Sequence, residues 1–207
     1  MSKLIIAIDG PAGSGKSTVA KAVAEGLGWS FLDTGAMYRA VTCEALSSGV
    51  DLLDETALGE LANVAVITTI PRVTINGRDV EDEIRQNHIN VGVSRVAANP
   101  LVRSAMVKRQ QKWANEQPVG TVVEGRDITT VVFPNATLKV FLTASLEERA
   151  LRRGDESAES VARRDDADSN REASPLRQAD DAIVIDTTGR DVEGVVGEII
   201  RCLKSIQ

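Results

Sequence analysis

Gly10-Pro11-Ala12-Gly13-Ser14-Gly15-Lys16-Ser17 matches the pattern G-x-x-x-x-G-K-[ST], and the residues on either side have the character that pattern needs. Before it, Leu4 to Ile8 is a continuous apolar run of the kind buried on both faces of a parallel sheet. After it, Val19, Ala22, Val23, Ala24 and Leu27 recur at helical spacing, and Gly28 supplies a stop. A strand running into a glycine loop and then a helix lets backbone N–H groups converge on phosphate, with the positive end of the helix dipole behind them. Residues Gly10 through Ser17, with Thr18 after them, are therefore expected to hold a nucleoside triphosphate. Lys16 would reach its β and γ phosphates, and the Ser17 hydroxyl would hold Mg2+.

Working outward, further buried strands are expected at Ser30 to Leu32, Thr121 to Val123, Lys139 to Leu142 and Ile183 to Ile185. Helices are expected at Ala36 to Ser47, Glu55 to Asn63, Leu101 to Glu116, Leu146 to Arg153, Ser157 to Asp166 and Val192 to Lys204. This alternation argues an α/β fold, a parallel sheet flanked by helices. One stretch departs from it. Val66 to Thr69 and Val73 to Ile75 read as short strands, and Asn76-Gly77 is a tight-turn signal before the charged Arg78 to Arg85. Residues 65–95 are expected to form a small insertion with antiparallel character, leaving 1–64 and 96–207 as the core of a single domain.

The chain has 207 residues, 43% hydrophobic and 26% charged, which suits one well-buried core and excludes a disordered or fibrous protein. Aromatics make up 3%, too few for a platform on which single-stranded nucleic acid would stack. A net charge of −6 argues further against a nucleic acid polymer as partner, so any phosphate binding must be local. No apolar run approaches the length of a membrane span, and the first residues read as a strand; a cytoplasmic location is expected. Cys43 and Cys202 lie in apolar periodic segments and read as small hydrophobes. His88 has no partner at ligand spacing and reads as a surface residue. Nothing in the sequence demands a dimer, so a monomer is expected.

A nucleotide loop does not by itself separate a kinase from a GTPase switch, an ATPase or a nucleotide-regulated binding module. The N-K-x-D motif of guanine-specific switches is absent. Glu124, after the apolar Thr121-Val-Val, is a candidate for the carboxylate a water-activating ATPase needs. A transferase needs a second anion site instead, and Arg149, Arg152, Arg153, Arg163, Arg164 and Arg171 crowd one short stretch that would supply it, or would simply be a solvated helical face.

Several segments together resemble the bacterial cytidylate kinases: the glycine loop, Leu32-Asp-Thr-Gly-Ala-Met-Tyr-Arg39, Gly125-Arg-Asp127 followed by Val131-Val-Phe-Pro134, and Arg164-Asp-Asp-Ala-Asp168-Ser-Asn-Arg171. The resemblance runs from about Ile5 to the final helix. It implies a nucleoside monophosphate kinase that uses ATP and Mg2+ to phosphorylate CMP and dCMP, with an insertion that binds the monophosphate and a lid at about 154–171. It further implies that Ser94, Arg103 and Asp127 surround cytosine, where a carboxylate accepts from the exocyclic amine and arginine donates to the ring nitrogen and carbonyl. By the same resemblance Arg39, Arg126 and Arg171 bind the acceptor phosphate, Asp168 holds the ribose, and Arg164 flanks it. Lys16, Asp33, Arg126, Arg164 and Arg171 are the implied catalytic group, and Thr34 is implied beside the acceptor. On the donor side Arg149 is implied over adenine and Arg153 near the phosphates, with Asp186 and Thr187 lining the adenine pocket. Glu124 stands where the family commonly has Asp, Thr129 where Gly is usual, and residues 154–161 are shorter than in many relatives. Without the resemblance, Asp127 reads equally as a helix N-cap or a partner to Arg126. The remaining alternatives are a kinase of UMP or AMP and a binding module with residual hydrolysis.

Overall fold

The computed structural model describes residues 3–154, 157–171 and 174–206, apart from the side chain of Arg164. The chain divides into two compact units, one running through residue 32 and from 114 onward, the other spanning 33–113.

The first unit is built on a sheet of β1 (Ile5–Asp9), β2 (Ser30–Asp33), β6 (Thr121–Glu124), β7 (Leu138–Thr143) and β8 (Ile183–Asp186) in the order β2-β6-β1-β7-β8. Strand β1 pairs in parallel with both β6 and β7, and β7 with β8. The central strands are apolar on both faces because helices cover both. Helix α1 (Lys16–Leu27) and helix α8 (Val192–Ser205) pack together, and Val19, Val23, Val195, Ile199 and Leu203 join Ile6, Ile8, Val122, Val140 and Leu142 in one buried cluster. Helix α6 (Leu146–Arg152) and helix α7 (Ala158–Ser169) complete this unit. Ser145 and Ser157 cap these two helices, accepting from Glu148 N–H and Ser160 N–H. Residues 155 and 156, within the stretch expected to be the lid, lie outside the described residues.

The second unit holds α2 (Thr34–Ser47), α3 (Glu55–Val64), α4 (Asn87–Ala98) and α5 (Pro100–Glu116). A small antiparallel sheet of β3 (Ile67–Thr68), β4 (Thr74–Ile75) and β5 (Arg78–Asp79) is inserted between α3 and α4. Asn76 and Gly77 both have positive φ, +52° and +81°, the left-handed pair that a two-residue hairpin between β4 and β5 requires. The unit is broader than the 65–95 insertion expected from sequence, because α2 packs on α4 and on a 3₁₀ turn at Glu83–Arg85. Helix α4 stands where the sequence pattern predicts none. Cys43 is buried, Cys202 is partly so, and both are free thiols; His88 is exposed. Among the described residues no helix is long and apolar enough to cross a membrane.

Candidate active site

The glycine loop lies between β1 and α1, so its position is set by the central strand of the sheet. Gly15 is the N-cap of α1 in the left-handed region, and the first-turn N–H groups of Lys16, Ser17 and Thr18 have no carbonyl of their own helix to meet. Gly13 has φ +77°, and a Cβ there would stand 2.6 Å from the carbonyl oxygen of Arg149, so only glycine lets the loop pass so close to α6. The Lys16 ammonium donates to Pro11 O at 2.7 Å, which holds the side chain folded over the loop where a phosphate would sit.

Ser17 Oγ donates to Glu124 Oε1 at 2.8 Å, and Glu124 is buried at the end of β6. A hydroxyl beside a carboxylate at a triphosphate loop is a hard oxygen set that fits Mg2+, which binds proteins through few carboxylates and shares its remaining positions with water and phosphate.

On the donor side the structure distributes the arginines in its own way. Arg149, expected over adenine, is buried and donates to Ala144 O and Ala12 O, both at 3.1 Å; it also pairs with Asp165, whose other oxygen accepts from Ala12 N–H at 3.3 Å. It braces the loop from behind. Arg152 instead donates to Thr187 Oγ1 at 2.9 Å and Thr187 O at 2.7 Å. With Ser14, Gly15, Thr18, Thr187 and Arg190 it lines a cavity of about 140 Å3 beside the loop. Thr187 lines this cavity, while the Asp186 carboxylate accepts from Thr188 N–H and Oγ–H. Arg152 belongs to the arginine-rich stretch and Arg190 follows Asp186-Thr-Thr-Gly189 directly, but no short-range pattern marks either as lining this cavity.

A second cationic cluster belongs to the same unit. Arg126 Nε donates to Asp168 Oδ2 at 2.8 Å, and Arg171 pairs with the other oxygen of the same carboxylate. Two guanidiniums thus share one buried anion, leaving the trio net positive and suited to a phosphate. Arg153 ends α6, half-buried, and the side chain of Arg164 lies outside the described residues.

Asp127 is buried, between Arg126 and a π-helical turn at Ile128–Val132. Its side chain does not cap that turn. Asp9, the last residue of β1, does so: it accepts from Ile128 N–H at 2.9 Å, Thr129 N–H at 2.7 Å and Thr129 Oγ–H at 2.6 Å. Burial pushes the Asp9 carboxyl above the usual range for aspartate, and these three donors work against that shift.

In the 33–113 unit, Asp33 caps α2 by accepting from Ala36 N–H at 2.8 Å, and Thr34 opens that helix, buried. Arg39 donates to Ile84 O at 3.2 Å and to Asn90 Oδ1. Arg103 is buried, donates to Ala97 O at 3.1 Å and lies over the Tyr38 ring, 5.8 Å from its centroid. Ser94 is half-buried on α4.

The family model described as "Cytidylate kinase" matches residues 6–205. The chain belongs to the cytidylate kinase family. It is 48% identical to the cytidylate kinase of Bacillus velezensis over 98% of this chain and 97% of that protein. It is 49% identical to the cytidylate kinase of Geobacillus kaustophilus, over 96% and 95% of the two chains. The Streptococcus suis cytidylate kinase is 48% identical over 100% of this chain and 99% of its own length. Among solved structures, a shikimate kinase from Acinetobacter baumannii in complex with shikimate superposes with TM-score 0.53 at 16% identity, covering 99% of this chain and 94% of that one. The protein TT1252 from Thermus thermophilus gives TM-score 0.55 at 21% identity, covering 98% and 99%. At those identities the likeness is one of fold, and it agrees with the parallel sheet and phosphate loop described above.

Proposed function

We propose that this protein transfers the γ-phosphoryl group of ATP to CMP, giving ADP and CDP, and accepts dCMP as well. The observation that carries the reading is the second cationic cluster: Arg126 and Arg171 converge on one carboxylate in the same unit as the phosphate loop. A water-activating ATPase has no need of a second anion site, whereas a kinase must neutralise the phosphate that attacks.

The loop N–H groups and Lys16 bind the β and γ phosphates of ATP, with Arg152 and Thr187 at the donor base. Ser17, supported by Glu124, would hold Mg2+, which would offset the negative charge of the triphosphate. Arg126 and Arg171 exchange part of their pairing with Asp168 for the CMP phosphate, leaving the Asp168 oxygens to accept from ribose hydroxyls. A phosphate oxygen of CMP then attacks the γ phosphorus in line, the bond to the β-phosphate oxygen breaks, and Lys16 stabilises the charge that builds on the departing ADP. No side chain is required as a strong base, because the attacking phosphate is already anionic. Asp127 accepts from the cytosine amine, which uracil lacks, and Arg103, Ser94, Arg39 and Thr34 supply the remaining contacts to CMP in this reading. The acidic surface and the small-molecule substrates are in keeping with a monomer acting in the cytoplasm.

The test is coupled ADP release across CMP, dCMP, UMP, AMP and no acceptor, with Lys16→Ala as control. CMP-dependent turnover that drops by roughly 10²-fold or more in Lys16→Ala is expected. ADP release indifferent to the acceptor would overturn the reading in favour of hydrolysis, and a preference for UMP or AMP would overturn the choice of base.

A further inference from the structure

We propose that Asp9 and Thr129 act together as a positioning pair for acceptor selection, holding the turn that presents Arg126 and Asp127. The inference rests on the reading of Asp127 as the group that meets cytosine.

Strand register brings these residues together. Ile8 of β1 stands beside Glu124, the last residue of β6, and Gly125 N–H donates to Ile8 O at 3.0 Å, so β6 ends one residue short of Asp9 and the turn after it starts beside Asp9. The chain then turns through Gly125, Arg126 and Asp127 into the π-helical turn, where Val131 and Val132 N–H both reach Asp127 O, at 2.9 and 3.2 Å. The N–H groups of Ile128 and Thr129 open that turn and need an outside acceptor. The three hydrogen bonds accepted by the Asp9 side chain supply it, all ending on Ile128 and Thr129.

A fully buried carboxylate is costly unless its oxygens are met by donors, and these three donors meet them. Every partner donates to Asp9, so these three contacts favour the charged carboxylate and oppose the burial that raises its pKa. The Thr129 hydroxyl is the part that depends on this chain's own side chain, since glycine at that position would offer the backbone N–H alone. Asp127 is the residue immediately before the clamped pair, so a shift of the turn moves its carboxylate directly. Asp9 also precedes Gly10 of the phosphate loop, which makes it the shared origin of the donor loop and the acceptor turn.

The experiment measures kcat and KM for CMP and for UMP at saturating ATP, and thermal midpoints, for wild type, Thr129→Val, Thr129→Ser, Asp9→Asn and Asp127→Ala. Thr129→Val removes the hydroxyl with little change of shape, and the CMP to UMP ratio of kcat/KM is expected to fall roughly tenfold, the effect of one lost bond to a charged acceptor. Thr129→Ser restores the hydroxyl and should return the ratio to within about twofold of wild type. Asp9→Asn replaces one oxygen with an amide NH2 that faces an N–H donor in either orientation, and should lower the ratio further. If Asp9→Asn does not fold, the comparison of Val with Ser at position 129 decides. A wild-type ratio in folded Thr129→Val, with or without a lower thermal midpoint, overturns the proposal and leaves Thr129 a packing residue. The Asp127→Ala arm separates the two claims. A ratio unchanged there removes Asp127 from base reading and the clamp's role with it, whereas a ratio lowered only in Asp127→Ala removes the clamp alone.

Discussion

Asp168 holds Arg126 and Arg171 at once, with the Arg171 side chain 9% exposed and that of Arg126 27%. Because the trio already carries its own anion, a bound phosphate competes for guanidiniums that are pre-aimed, and the gain is greatest when extra charge builds up during transfer. Arg171→Met should therefore lower kcat by roughly 10²- to 10³-fold while raising the KM for CMP much less; steady-state kinetics with an unaltered kcat would remove Arg171 from the site. Asp127→Ala should cut the CMP to UMP ratio of kcat/KM by about 10²-fold, below the limit for a fully dry site because water can replace the lost oxygen. Competition between the two acceptors in one reaction, read by product analysis, measures it. Cys43 gives a prediction in pH. Burial first, and then a hydrogen bond with Glu83, push its thiol up to about 11, against the pull of Arg78. A thiol pKa raised from 9.0 means that its neutral form favours folding, a contribution complete below about pH 9 and lost as pH rises through about 11. Since the thiolate is the nucleophile, iodoacetamide at pH 8 should label Cys43 at least tenfold more slowly than a free thiol of ordinary pKa. Fast labelling of native protein, followed by mass spectrometry, would contradict that burial.

At the scale of elements, the glycine loop and the β4–β5 hairpin were legible because each is written in a few adjacent residues. Asn76-Gly77 specifies a left-handed pair with no help from elsewhere in the fold. Helix α4 was not legible. Its Ile89, Val91 and Val93 alternate as in a strand, and Gly92 interrupts the helical reading, yet the buried positions are Ile89, Gly92, Val96 and Ala97. What decides is contact with α2: a Cβ at position 92 would come 3.0 Å from Thr42 Cγ2, so the glycine marks where two helices approach rather than where one ends. The same logic applies to α3. Alanine ordinarily stabilises a helix interior over glycine by about 1 kcal/mol, but a Cβ at Gly59 would stand 2.5 Å from Leu101 Cβ. Gly59→Ala is expected to destabilise by about 1–3 kcal/mol through overpacking, read from urea unfolding. A gain in stability would show that α3 and α5 are free to separate.

For the molecule as a whole, ligands that bind only the folded state raise its thermal midpoint by mass action. CMP with a non-hydrolysable ATP analogue, each at about 100 times its dissociation constant, should together contribute about 5 kcal/mol, a shift of roughly 10–20 °C for a chain of this size. UMP in place of CMP should give a clearly smaller shift, and equal shifts would argue against base recognition in the ground state. The sequence by itself determined the class of the fold, the glycine loop between the first strand and the first helix, and the segments that mark the family, because these rest on short-range patterns of apolar residues, glycines and charge. Tertiary structure alone decided that Arg149 braces the loop while Arg152 faces the cavity, that Glu124 reaches Ser17, and that Asp9 rather than Asp127 caps the turn after β6. Asp9 and Thr129 are 120 positions apart, brought level only by the parallel pairing of β1 with β6. The partner of a buried charge is chosen by strand register and helix packing, and neither is carried by the residues next to it in the chain.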